Sequence, residues 1–140
     1  MTRRAGFSQL ELALFMAVLA LGGALVVLRL PIYLQDKVDR ETKGYLGAVR
    51  SALAIYYGDN EGIYPADLGS LTVAGKYLMR IPELDLQVLH PKSDRVHTGP
   101  QAPLDLGHWG YDNSLGTANW GTLWIACTHT DTRGSAWSSY

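Results

Sequence analysis

The sequence predicts an α+β fold, in which a long N-terminal helix packs on a small antiparallel sheet. Three observations predict it. Leu12 to Leu28 is an unbroken apolar run without a single charged residue. Leu46, Val49, Leu53 and Tyr56, joined by Ala52, recur at helical spacing and form one apolar face. Beyond Leu84, short apolar stretches alternate with turn-rich segments, which is the pattern of short strands.

The apolar run comes first in the chain. Its 17 uncharged residues lie at the short end of what spans ~30 Å of hydrocarbon. Arg3 and Arg4 before it, against Arg29 after it, favour an orientation with the N-terminus inside. Pro31 has no N–H to donate and its ring clashes with the preceding turn, so an interruption or kink is expected there. Helical character returns over Ile32 to Gly58. Asp36, Lys37, Asp39, Arg40, Glu41 and Lys43 form a polar stretch, in which Asp36–Arg40 and Asp39–Lys43 are spaced for i,i+4 pairs on a solvated face. The cluster Gly58-Asp59-Asn60-Glu61-Gly62 ends the helix. A stem from Phe7 to Tyr57 at ~1.5 Å per residue measures on the order of 75 Å, more than a bilayer needs.

The head opens on Gly62-Ile63-Tyr64-Pro65. Ala66 to Leu71 reads as a short helical turn, and Lys76-Tyr77-Leu78 leads into Ile81-Pro82. Strands are expected at Asp85–Leu89, His108–Asp112, Thr122–Cys127 and Ala136–Ser139. Pro91, Pro100 and Pro103 mark a loop between the first two, and Asp112-Asn113-Ser114 and Arg133-Gly134-Ser135 mark later turns. Laid on the amphipathic half of the stem, such a sheet buries both faces. Trp109, Tyr111, Trp120, Trp124, Trp137 and Tyr140 are expected to pack in this core.

A chain of 140 residues with 47% hydrophobic content has room for one domain and one ordinary core. A net charge of −1 gives no electrostatic footprint for nucleic acid. Cys127 is the only cysteine, so an intramolecular disulfide is impossible. The head depends on packing, hydrogen bonds or a bound ion.

The N-terminus carries the functional signal. A secretory signal peptide needs small residues after the apolar run. Here Arg29-Leu30-Pro31 follows it, and Gly22-Gly23-Ala24 lies inside it. A plain single-pass anchor is a second reading. The third rests on Gly6, then Phe7, then a lone Glu11 at the head of the apolar helix. This Gly-Phe-Ser-x-x-Glu pattern closely resembles the processing site of type IV prepilins and of type II secretion pseudopilins.

The resemblance implies cleavage after Gly6 by a membrane prepilin peptidase, a new and usually N-methylated N-terminus at Phe7, and filament assembly through Phe7 and Glu11. A carboxylate at the edge of an apolar helix costs a few kcal/mol unless it finds a cation or the interface. The amine created at Phe7 is such a cation, within one chain or between stacked neighbours. The segment Gly62-x-Tyr64-Pro65 with the later Ile81-Pro82 also resembles major pseudopilins and small pilins.

The resemblance therefore implies a pilin-like fold with residues 1–6 as leader, 7–30 as transmembrane and filament-core helix, 31–58 as the amphipathic half of the stem, and 59–140 as the head. It implies a structural, non-enzymatic subunit in the pseudopilus of a type II-like secretion system. A type IV pilus subunit for adhesion, motility or DNA uptake is the alternative within the class. The implied partners are further copies of the chain, other pilin-like subunits, the peptidase, an inner-membrane assembly platform and the membrane itself. The implied location is the bacterial inner membrane with the head in the periplasm, then an extracytoplasmic filament.

Three constellations in the head bear on chemistry. Cys127, His129 and Asp131 alternate, and on a strand they share one face. Neighbours two apart on a strand are ~6.5–7 Å apart, too far for the direct hydrogen bonds of a nucleophilic relay unless the strand ends there, and no Gly-rich elbow or oxyanion motif accompanies them. One cysteine and the scattered histidines His90, His97, His108 and His129 give no CxxC or HExxH spacing, which argues against zinc. Calcium is the ion the resemblance implies for a C-terminal loop. Asp112 and Asp131 are the candidate ligands, with Asp105 and Asn113 in similar contexts, although Asp and Asn also favour turns for local reasons.

Overall fold

A computed structural model describes residues 8–86 and 90–140. One helix, α1, covers Gln9–Asp59. Three short strands follow: β1 (Val96–Thr98), β2 (His108–Tyr111) and β3 (Leu123–Ala126). The fold is thus α+β, with a 3-10 helix at Leu68–Gly75 before the strands and a 3-10 turn at Trp137–Ser139 after them. By contact density the chain divides into two compact units, Met1–Leu34 and Gln35–Tyr140.

In the first unit every residue from Ser8 to Leu34 is exposed. By length and composition α1 is apolar enough near the N-terminus to cross a membrane, and none of its most apolar window is buried. Pro31 lies inside the helix, so of the expected interruption or kink the interruption does not occur. The proline removes one donor, the one that would serve the Val27 carbonyl four residues back. The remaining ladder on both sides carries the helix through.

In the second unit the predicted apolar face of α1 is the core face. Leu46, Val49, Ala52 and Leu53 are buried, and Tyr56 packs partly against them. The same stripe extends toward the N-terminus through two polar residues, Asp39 and Thr42, both buried. Thr42 donates to the Asp85 carbonyl at 3.0 Å, and Asp39 accepts from the Thr132 amide at 2.8 Å. The expected Asp36–Arg40 pair forms at 2.8 Å. Lys43 pairs with Asp131 instead of Asp39, because it faces the head and not the solvated side. The helix ends at Asp59, within the predicted group of breakers.

Two positive-φ residues, Glu61 and Gly62, turn the chain into Tyr64-Pro65, where the Pro65 carbonyl accepts from the buried Tyr111 hydroxyl at 2.6 Å. The Pro82 carbonyl of the Ile-Pro pair accepts from the Trp109 indole at 2.8 Å. Both motifs that opened the head therefore anchor β2.

The sheet is mixed, in the order β1-β2-β3, and not antiparallel throughout as expected. β2 and β3 pair antiparallel, with Gly110 opposite Trp124. β1 runs parallel to β2. Its strand, Val-His-Thr, lies inside the proline-marked stretch that reads as loop, and it is too short and polar to show an apolar alternation. The expected strand at Asp85–Leu89 is absent as far as it is described. Leu84 makes only an isolated bridge to Ser93, and Gln87, Val88 and Leu89 lie outside the described residues.

The expected strand at Ala136–Ser139 is the closing 3-10 turn. Its serines favour local bonds, with Ser139 Oγ donating to the Ala136 carbonyl at 2.6 Å. Three residues per turn bring Trp137 and Tyr140 to the same side, with ring centroids 5.7 Å apart. Trp109, Tyr111, Leu123, Ile125, Cys127 and Trp137 join the helix residues in one core. Trp124 is also buried, and Trp120 and Tyr140 are half-buried.

Candidate functional site

The expected processing residues Gly6 and Phe7 lie outside the described residues. Glu11 is described, and it has a local partner. The Ser8 amide donates to Glu11 Oε2 at 2.8 Å, and the Glu11 amide donates to Ser8 Oγ at 3.2 Å. This reciprocal pair is a capping box, which satisfies two of the amides that a helix leaves open at its start. A carboxylate there also complements the positive end of the helix dipole. The signal was present in the sequence as Ser-x-x-Glu before an apolar run.

Cys127, His129 and Asp131 do not share a strand face as expected, because β3 ends at Ala126. Asp131 sits in a turn, where its Oδ1 accepts from the Arg133 and Ser135 amides, both at 2.9 Å. Its Oδ2 accepts from Lys43 Nζ and from the Tyr140 hydroxyl, the latter at 2.7 Å. Lys43 also donates to the Tyr140 hydroxyl at 2.8 Å and lies 4.3 Å from the centre of that ring. Burial would raise the Asp131 pKa, but the Lys43 ammonium, the Tyr140 hydroxyl and the two amides outweigh it and hold the carboxyl well below the usual range. Burial likewise opposes the charge on Lys43, and its bonds to Asp131 and Tyr140 raise its pKa above the ordinary value.

The other calcium candidate, Asp112, is buried and accepts from the Ser114 amide at 2.9 Å. Among the described residues, neither Asp112 nor Asp131 belongs to a group of three or more His, Cys, Asp or Glu side chains at metal-ligand spacing.

One such group does exist, at positions the sequence spacing hides. His90, Asp105, Cys127 and His129 bring one ligand atom each to within 4.8 Å of all the others. Asp105 comes from the loop between β1 and β2. Cys127 directly follows β3, and His129 lies two residues on. Two of the four histidines, His90 and His129, are therefore brought together in space. His90 and His129 stand with ring centroids 5.2 Å apart.

Several local features hold the group together. Both the Leu106 and Gly107 amides donate to the Ala126 carbonyl at 2.9 Å, which ties the Asp105 loop to the end of β3. Gly107 has φ +66°, and a Cβ there would meet the His90 side chain at 2.5 Å. The His90 ring occupies space that only glycine leaves. Asp105 Oδ1 accepts from the Thr128 amide at 3.1 Å. That bond, more than the contact with His90, holds the carboxyl below its usual range against the opposing effect of burial. Burial pushes the Cys127 thiol up to about 11, so it is not an activated nucleophile.

The contacts also rule out the relay geometry of a Cys-His-Asp site. Cys127 Sγ and Asp105 Oδ1 both approach the same nitrogen, His129 Nδ1, at 3.5 and 3.2 Å. A relay needs the two partners on opposite ring nitrogens.

A scan against protein-family models and searches of curated proteins and of solved structures found no match to this chain.

Proposed function

We propose that the chain is a structural subunit of a pilus-like filament, made as a precursor, cut by a prepilin peptidase after Gly6 and assembled through the helix at residues 7–30. The observation that carries this reading is Gly6-Phe7-Ser8-Gln9-Leu10-Glu11 opening onto a helix whose apolar residues are all exposed up to Leu34. Apolar surface of that extent needs a cover. The bilayer covers it in the precursor, and neighbouring helices cover it in a fibre. The favoured filament is the pseudopilus of a type II-like secretion system, supported by the Gly62-x-Tyr64-Pro65 segment and the single cysteine. A type IV pilus subunit is the alternative. In either case the precursor sits in the bacterial inner membrane with its head in the periplasm. It meets the peptidase, the assembly platform, other pilin-like subunits and further copies of itself.

The capping box favours a second reading, a single-pass membrane-anchored binding domain. It gives Glu11 a structural task that requires neither cleavage nor assembly. Glu11→Gln separates the two, because glutamine keeps the capping box but removes the charge that would pair with the Phe7 amine. The filament reading predicts normal membrane insertion and cleavage, with filament yield reduced several-fold. Normal yield from this variant would remove the Phe7–Glu11 charge pair from the account.

A further inference from the structure

The cluster at one edge of the head has the donor set and spacing of a metal centre. His90 Nε2 lies 3.1 Å from Asp105 Oδ1, His129 Nδ1 lies 3.2 Å from the same oxygen, and Cys127 Sγ lies 3.5 Å from His129 Nδ1. Tetrahedral zinc, with bonds of ~2.0–2.1 Å to nitrogen and oxygen and ~2.3 Å to sulfur, sets its ligand atoms about 3.3–3.6 Å apart. The three close separations match to within a few tenths of an ångström. The widest is within 4.8 Å, and metal binding would draw it in.

Hydrogen bonding alone loads this arrangement onto one carboxylate, with the His129 ring and the Cys127 thiol both turned to Asp105. Asp105 Oδ1 already receives the Thr128 amide and faces two ring nitrogens. A cation at the centre meets one lone pair from each of the four atoms.

We propose that His90 Nε2, Asp105 Oδ1, Cys127 Sγ and His129 Nδ1 bind one borderline divalent transition-metal ion, zinc by the chemistry of the donors. Thiolate and imidazole select against calcium and magnesium, which take oxygen. Coordination uses the ring lone pairs of neutral His90 and His129 and releases the Cys127 thiol proton to solvent. The Thr128 amide orients the carboxylate, and Gly107 leaves room for the His90 ring, so the positions are set by the fold. The Cys127 side chain is fully buried, while Asp105 and His129 are 42% and 39% exposed, which leaves a path in from solvent. Four protein ligands make a closed, structural site. It joins the His90 segment, the β1–β2 loop and the end of β3 in a head without a disulfide. The proposal stands independently of the filament reading.

The test uses the full chain in detergent, stripped with a chelator and titrated with Zn²⁺, Co²⁺ or Ca²⁺ alone. The expected result is one Zn²⁺ per chain. The melting temperature rises by roughly 10 °C at 100 times the Kd. Bound Co²⁺ shows tetrahedral ligand-field bands and a thiolate-to-cobalt charge-transfer band. His90→Ala and His129→Ala each weaken Zn²⁺ binding by ~100-fold or more, beyond the usual effect of losing an outer partner, and His97→Ala leaves it unchanged. Because Cys127 lies in the core, its role is read from the charge-transfer band of the wild-type chain as well as from Cys127→Ser. A wild-type cobalt complex without that band would overturn the proposal. So would wild-type zinc affinity in His90→Ala and His129→Ala, or a thermal shift with Ca²⁺ and none with Zn²⁺.

Discussion

Asp131 is held by four donors, and one of them, Lys43, brings a full positive charge from α1. Its depressed pKa couples folding to pH with a definite sign. The folded carboxyl binds its proton less readily than the unfolded one, near 3.9. The stabilisation is therefore fully present above about pH 5 and is lost as pH falls below about 4. Chemical denaturation between neutral and acidic pH measures it, and Asp131→Asn is expected to flatten that part of the profile. At neutral pH the same variant leaves Lys43 without its counter-charge and is expected to cost about 2–4 kcal/mol. Little of this was legible beforehand. The sequence displays Asp131 beside Cys127 and His129, and its true partners are Lys43 and Tyr140, contacts made only by tertiary packing. The cluster of His90, Asp105, Cys127 and His129 was hidden for the same reason. Only Cys127-x-His129 is local, and the other two ligands come from loops that no spacing rule joins. The capping box at Ser8 and Glu11 was fully local and could have been read.

At the scale of elements, α1 was the most legible because its apolar stripe repeats over several turns. Leu46, Val49, Ala52 and Leu53 are all buried, so Leu53→Ala is expected to cost about 2–5 kcal/mol in a urea titration of the detergent-solubilised chain. The strands β2 and β3 were legible from Trp-Gly-Tyr and Leu-Trp-Ile-Ala. β1 was not, since three residues with polar neighbours carry no period. The parallel pairing of β1 also depends on the course of the loop from Gly99 to Gly107, which sequence pattern does not encode. A Cβ on Gly110 would overlap the Trp124 ring of the paired strand. Gly110→Ala is expected to destabilise by about 3 kcal/mol, visible as a lower urea midpoint, and Trp124→Leu in the same chain should recover part of the loss.

At the scale of the whole molecule, the two units differ in what they do with apolar side chains. The second unit buries them in one core shared by α1, the sheet and the closing turn. The first leaves Leu10, Leu14, Phe15, Leu21 and Leu25 exposed. That contrast was plain in the sequence as a charge-free run ahead of an amphipathic one. It supports a membrane helix and, with the Gly6-Phe7 pattern, a filament core. The central claim is that the mature chain begins at a peptidase-generated Phe7. The most direct measurement is the N-terminal mass of the chain extracted from membranes of cells with and without a prepilin peptidase. The account predicts a start at Phe7, heavier by one methyl group, only where the peptidase is present. A start at Met1 in both would contradict it and leave a membrane-anchored domain in its place.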